Sequence, residues 1–188
     1  RSTRTDTLFP YTTLFRSSSV KIGAELSIAG ITAKQLAKDF GTPTFFLDEA
    51  DFRARALAWN DALKEAFGDK AGTVYYASKA FTCTEVARWI KDLGIGIDVS
   101  TGGEMAVALA GGIDPKKIEV HGNNKSIAEI EKAISVGVET IVIDSMYEIE
   151  RVASAAAKAG KIQRVLLRLT PGIEAHTHQS IATAHEDV

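Results

Sequence analysis

An α/β fold wound as a (β/α)8 barrel is what this sequence predicts, on three observations. Strand candidates begin near Thr73, Gly96, Ile118, Thr140 and Arg164, at intervals of 23, 22, 22 and 24 residues. The strands read as near-continuous apolar runs, such as Thr140-Ile141-Val142-Ile143 and Val165-Leu166-Leu167, which suits parallel strands covered on both faces. Each run ends in polar residues, and a parallel barrel gathers its chemistry at that end of its strands. Strand, helix and strand at so short a period make right-handed βαβ units. A doubly wound sheet shares the alternation, but its glycine-rich phosphate turn is absent, since Ala80-Phe81-Thr82-Cys83 follows the first strand. Five strands are present where a whole barrel takes about 250 residues, so the chain is expected to be part of one.

Taken in order, Arg1 to Ser17 has neither a helical nor a strand period, and Thr5 to Ser17 resembles a translated sequencing adapter. Residues 1–17 are expected to lie outside the fold. Thr32 caps a helix over Ala33 to Asp39, which Gly41 and Pro43 stop. Thr44 to Leu47 reads as a short strand, and Asp48 to Phe67 as a long helix ended by Gly68. Helical patterns then fill the gaps between the five strands: Thr84 to Leu93, Gly103 to Ala110, Ile127 to Val136 and Tyr147 to Ala159. Gly94, Gly111-Gly112, Gly137 and Gly160 punctuate their ends.

The bulk numbers exclude several classes. Apolar content is 45%, charged content 24% and net charge −2, so no basic field draws the chain to nucleic acid or to an anionic membrane. No apolar run reaches transmembrane length. The single Cys83 leaves no internal disulfide, which suits the cytoplasm.

The strand ends carry the candidate chemistry. Lys79 closes the run Val74-Tyr75-Tyr76-Ala77-Ser78. A desolvated lysine there would be a Schiff-base nucleophile toward an aldehyde; one just past the strand would snorkel to water. Next come Asp98 and Ser100, His121 with Asn123-Asn124-Lys125, Asp144-Ser145, and Arg168 with Thr170. Asp98, Ser100, Asp144 and Ser145 also suit helix N-caps, which are common at strand-to-helix junctions. Arg168 sits uncomfortably inside an apolar strand as a mere ion-pair partner. His176, His178 and His185 read as a polar loop, and no metal site is expected. Cys83 reads as a packing residue.

Five blocks, YYASKA, GIDVSTGGE, HGNNKS, VIDSMYEIE and LLRLTPGIEAHTH, resemble in order and spacing the diaminopimelate decarboxylases. These are pyridoxal-phosphate enzymes of the alanine-racemase-like fold, within the ornithine/diaminopimelate/arginine decarboxylase group. The resemblance covers roughly Ala24 to Val188. It implies an N-terminal piece of such an enzyme, inactive by itself, with residues 18–48 contributing to a second, β-rich domain and 49–188 forming the pyridoxal-binding barrel. It implies Lys79 as the residue bonded to pyridoxal 5′-phosphate, with Asp98, Arg168 and His121 beside the cofactor and Glu104 following Asp98. It further implies decarboxylation of meso-2,6-diaminopimelate to L-lysine, in a cytoplasmic homodimer whose partner subunit supplies a catalytic cysteine. Related decarboxylases, racemases of the same fold and a non-catalytic pyridoxal-phosphate carrier are the alternatives. Racemases typically follow their lysine with Ala-Asn-Ala-Tyr-Gly, where this chain has Ala80-Phe81-Thr82-Cys83-Thr84-Glu85. A strand at Thr44 to Leu47 would speak against the carrier, which has no second domain.

Overall fold

A computed structural model describes residues 20–23 and 25–169, which form two compact units meeting in sequence at Gly72 and Thr73. The expected segment 1–17, Thr170 and the three histidines His176, His178 and His185 lie outside the described residues.

The first unit opens with an antiparallel sheet of β1 (Val20–Ile22), β2 (Glu25–Ile28) and β3 (Ile31–Thr32). Ala29 and Gly30 join β2 to β3 with φ of 51° and 80°, the positive pair that a two-residue hairpin of matching twist requires. Helix α1 (Ala33–Phe40) packs Leu36 inward and takes its N-cap from Thr32, whose hydroxyl accepts from Gln35 N at 3.2 Å. Helix α2 (Glu49–Phe67) buries none of its residues. Local terms carry it instead: Asp48 caps it through Asp51 N, and Arg53–Glu49 and Arg55–Asp51 pair one turn apart at 2.7 and 2.8 Å. Between these helices Thr44 to Leu47 is not a strand. A strand exists only when another backbone receives its hydrogen bonds. No described strand runs beside these four residues, and Phe45 is fully exposed.

The second unit is the parallel sheet. Strands β4 (Tyr75–Ala77), β5 (Gly96–Val99), β6 (Ile118–Val120), β7 (Thr140–Ile143) and β8 (Val165–Leu167) lie side by side in chain order. Helices α3 (Thr84–Leu93), α4 (Gly102–Ala110), α5 (Ile127–Val136) and α6 (Met146–Lys158) connect them. Sequential order never reverses, so right-handed crossovers put every helix on one face, as in a barrel and unlike a doubly wound sheet. The core sits between that face and the helices. Ile97, Val99, Ile118, Val120, Ile141 and Ile143 of the strands are buried in it, as are Val86, Ile90, Met105, Ile130, Ile134 and Val152 of the helices. Burying each such side chain contributes about 1.5–3 kcal/mol. Gly111 lets α4 approach α3, because a Cβ there would collide with Ala87.

Alternation sends the other residues of each strand to the opposite face. In register, Ala77, Asp98, Glu119 and Thr140 stand side by side across β4 to β7. Gly96 has no side chain on this face because the Tyr75 ring occupies the space: a Cβ would stand 2.5 Å from Tyr75 Cδ1.

Candidate active site at the strand ends

Lys79 lies two residues beyond β4 in a short 3-10 turn, Ser78–Ala80, and its side chain is exposed. The turn is tied from below, since the Tyr76 hydroxyl donates to Phe81 O at 2.7 Å. Asp98 is the third residue of β5, 17% exposed at its side chain, and His121 follows β6 directly, its N–H donating to Val99 O at 2.7 Å. His121 Nδ1 reaches to 3.5 Å from Asp98 Oδ2. Burial pushes the Asp98 carboxyl above its ordinary range; His121 and Lys79 pull it back, and Glu104 adds to the rise. The chain thus brings Asp98 and His121 together and sets Lys79 within electrostatic reach of Asp98.

Arg168 stands one residue past β8 rather than inside it. Its N–H continues the ladder to Ile143 O at 3.0 Å, and its guanidinium donates to Asp144 Oδ1 at 2.9 Å. Arg168 and Asp144 form a second pair, two strands along from Asp98 and His121. On the face alternation they point the same way as Asp98, since 144 follows 140 and 142, and 168 follows 166.

The carboxylate at Glu104 is engaged in capping. It accepts from Ser100 N at 2.6 Å and Thr101 N at 3.0 Å, while the Thr101 hydroxyl caps Glu104 N. Thr101, not Asp98 or Ser100, is therefore the N-cap of α4. The device repeats at the third helical position of α5 and α6. Glu129 closes a capping box with Ser126 and also accepts from the N–H of Gly102, the first residue of α4, at 2.6 Å. Glu148 accepts from Asp144 N at 3.0 Å and pairs with Lys125 of the preceding loop at 3.0 Å.

Two features escaped the sequence reading. Glu119, next to Asp98 on the sheet, is raised above the ordinary range by burial and then by Asp98. Its signal was a charge two residues before His121, between the buried Ile118 and Val120. Lys125 looked like part of a polar loop with Asn123 and Asn124, yet its side chain is 1% exposed; Glu148 lay too far along the chain to announce the pairing. Among the described residues, Ser78 Oγ, Thr82 Oγ1 and Asp98 Oδ1 are buried with no hydrogen-bond partner, as is Ser27 Oγ in the first unit. The first two flank Lys79 and the third lies on the next strand. Among the described residues no group of three or more histidines, cysteines and carboxylates stands together to hold a metal.

Residues 49–188 match the family model described as pyridoxal-dependent decarboxylase, pyridoxal binding domain. Diaminopimelate decarboxylase of Mycobacterium tuberculosis is 54% identical over 160 residues, covering 85% of this chain and 35% of that protein. The Mycobacterium leprae counterpart is 52% identical over the same 85% of this chain and 33% of its own length. Among solved structures, M. jannaschii diaminopimelate decarboxylase in complex with L-lysine superposes with a TM-score of 0.74 at 28% identity, covering 88% of this chain and 39% of that one. The chain spans about a third of the length of the curated relatives it matches.

Proposed function

This chain belongs to the pyridoxal-dependent decarboxylases, and from that premise we propose that the protein carrying it converts meso-2,6-diaminopimelate to L-lysine with pyridoxal 5′-phosphate held at Lys79. The observation that carries the reading is the placement of Lys79, in the turn after β4 and within electrostatic reach of Asp98, and of the facing pair Asp98 and His121 at the C-terminal ends of neighbouring parallel strands, the mouth where barrel enzymes work. The residues present fit the cofactor. The exposed Lys79 amine lies within electrostatic reach of the Asp98 carboxyl, and the buried Ser78, Thr82 and Asp98 oxygens leave hydrogen-bonding capacity there. Unpaired buried polar groups are costly in a site with no polar occupant.

Lys79 would hold the group through its amine. Arg168 would bind and orient it as a fixed positive charge, Asp98 through its carboxyl oxygens, and His121 would offer one donor and one acceptor. Bound there, pyridoxal phosphate supplies an electron sink for the charge left on the α-carbon when carbon dioxide departs. Asp98 keeps a proton more readily than an ordinary carboxyl because of its burial. Tyr76 holds the Lys79 turn, and Glu104 the turn after β5, so the site residues are positioned before substrate arrives.

The same reading makes residues 49–188 the pyridoxal-binding barrel and 18–48 part of a β-rich domain. It makes the whole protein a cytoplasmic homodimer with a shared active site and an amino-acid substrate. No helix among the described residues is long and apolar enough to cross a membrane.

The test uses this chain extended to the length of its relatives. Borohydride reduction and peptide mass analysis should find the pyridoxyl group on Lys79, and meso-diaminopimelate should yield L-lysine. Lys79→Ala should lower kcat by about a thousandfold or more. A label on Lys125, or no lysine formed, overturns the reading.

A further inference from the structure

Lys125 and Glu148 are the most deeply buried charges among the described residues, with side chains 1% and 6% exposed and Nζ 3.0 Å from Oε2. Lys125 Nζ also donates to Gly122 O at 2.5 Å and Val142 O at 2.7 Å. Stability alone does not account for such a pair, because apolar residues of similar volume commonly serve as well. Its geometry suggests another role. Through Lys125 the pair holds the loop after β6 to the end of β7. Through the same Oε2 it holds Asp144 N at 3.0 Å, which sets the first residue after β7. Asp144 in turn receives the Arg168 guanidinium at 2.9 Å.

We propose that Lys125 and Glu148 are a positioning pair that sets the Arg168 guanidinium, through Asp144, for the pyridoxal group. The inference rests on the reading of Arg168 given under Proposed function. Neither Lys125 nor Glu148 touches the cofactor; they act by fixing the turn that carries Asp144. The Asp144 N–H, which an isolated surface loop would leave to water, is here held by the same carboxylate oxygen that pairs with Lys125, which restricts where Asp144 can present its oxygens. Arg168 is itself 41% exposed at its side chain, so without this anchor its long side chain has many rotamers open to it.

The test measures pyridoxal phosphate affinity by absorbance, together with the melting temperature of the cofactor-free protein, in the chain extended to its relatives' length. The double variant Lys125→Met/Glu148→Leu removes both charges and keeps the volume. It is expected to melt within a few degrees of the parent and to bind pyridoxal phosphate about tenfold to a hundredfold more weakly. Glu148→Gln, which keeps an acceptor for Asp144 N, should restore most of that affinity. The loss should largely vanish when Arg168 is already Lys, because the two act on one interaction. Asp144→Asn cuts the relay at a half-buried position, leaves the pair whole and should reproduce the loss. Unchanged affinity in Asp144→Asn overturns the inference even where the double variant fails to fold. A pair effect that adds in full to Arg168→Lys also overturns it. Parent affinity in Arg168→Lys alone overturns the reading of the site, and this inference with it.

Discussion

His121 Nδ1 stands 3.5 Å from Asp98 Oδ2 across neighbouring parallel strands, on the side of the sheet away from the helices. The interaction is too long for a strong hydrogen bond. It compensates the burial of Asp98 only in part, and Lys79 nearby supplies the other attraction.

One consequence is a pH dependence of stability. The Asp98 carboxyl is raised by burial, so the folded chain binds its proton more tightly than the unfolded chain. The resulting stability is full below the unfolded carboxylate range and is lost as pH rises through the folded value. Glu119, raised by burial and by Asp98, acts in the same direction. Asp98→Asn is therefore expected to melt higher than the parent near pH ~7 and equally near pH ~3. Thermal melts without cofactor check this. A lower melting temperature at the higher pH would mean that His121, Lys79 and their pairing outweigh burial.

Glu129 has the opposite sign. Hydrogen bonds from Ser126 N, then from Gly102 N, hold its carboxyl below the ordinary range. The stability this provides is present above the unfolded range and disappears as pH falls through the folded value. Glu129→Gln should lower the melting temperature at neutral pH and match the parent in acid. Ser126→Ala, which removes the other half of the capping box, should cost about 1 kcal/mol. Urea melts at both pH values measure each effect.

Gly122 follows His121 with φ of 97°, and a Cβ on it would lie 2.7 Å from Ser100 O. Both the backbone region and the contact exclude a side chain. Gly122→Ala should cost about 1–3 kcal/mol and weaken pyridoxal phosphate binding, since Lys125 also holds Gly122 O. A variant with parent stability and affinity would show that this loop adapts freely.

The five-strand barrel pattern was legible because it is written locally. Each parallel strand is apolar along its whole length, each helix repeats its buried face every three or four residues, and glycine marks each helix end. The observed strand starts at Tyr75, Gly96, Ile118, Thr140 and Val165 fall within two residues of the pattern, and Thr84–Leu93 and Ile127–Val136 match it end to end. The β2–β3 hairpin was missed because Ala29 occupies a turn position where asparagine or aspartate is the usual signal. Thr44 to Leu47 was misread because a β-branched and aromatic run states a preference, while pairing depends on a second strand.

By itself the sequence determined which residues end each strand, and so which polar side chains share one edge of the sheet: Lys79, Asp98, His121, Asp144 and Arg168. Tertiary structure alone decided how they divide into partners. It set Asp98 against His121 and Arg168 against Asp144, turned Glu104 to helix capping and drew Lys125 into the interior to meet Glu148. The reason is physical. Strand and helix periods arise from contacts between residues close along the chain, whereas Lys125 and Glu148 are 23 positions apart. Their pairing exists only once β7 and α6 have packed and removed the water that would otherwise solvate each charge.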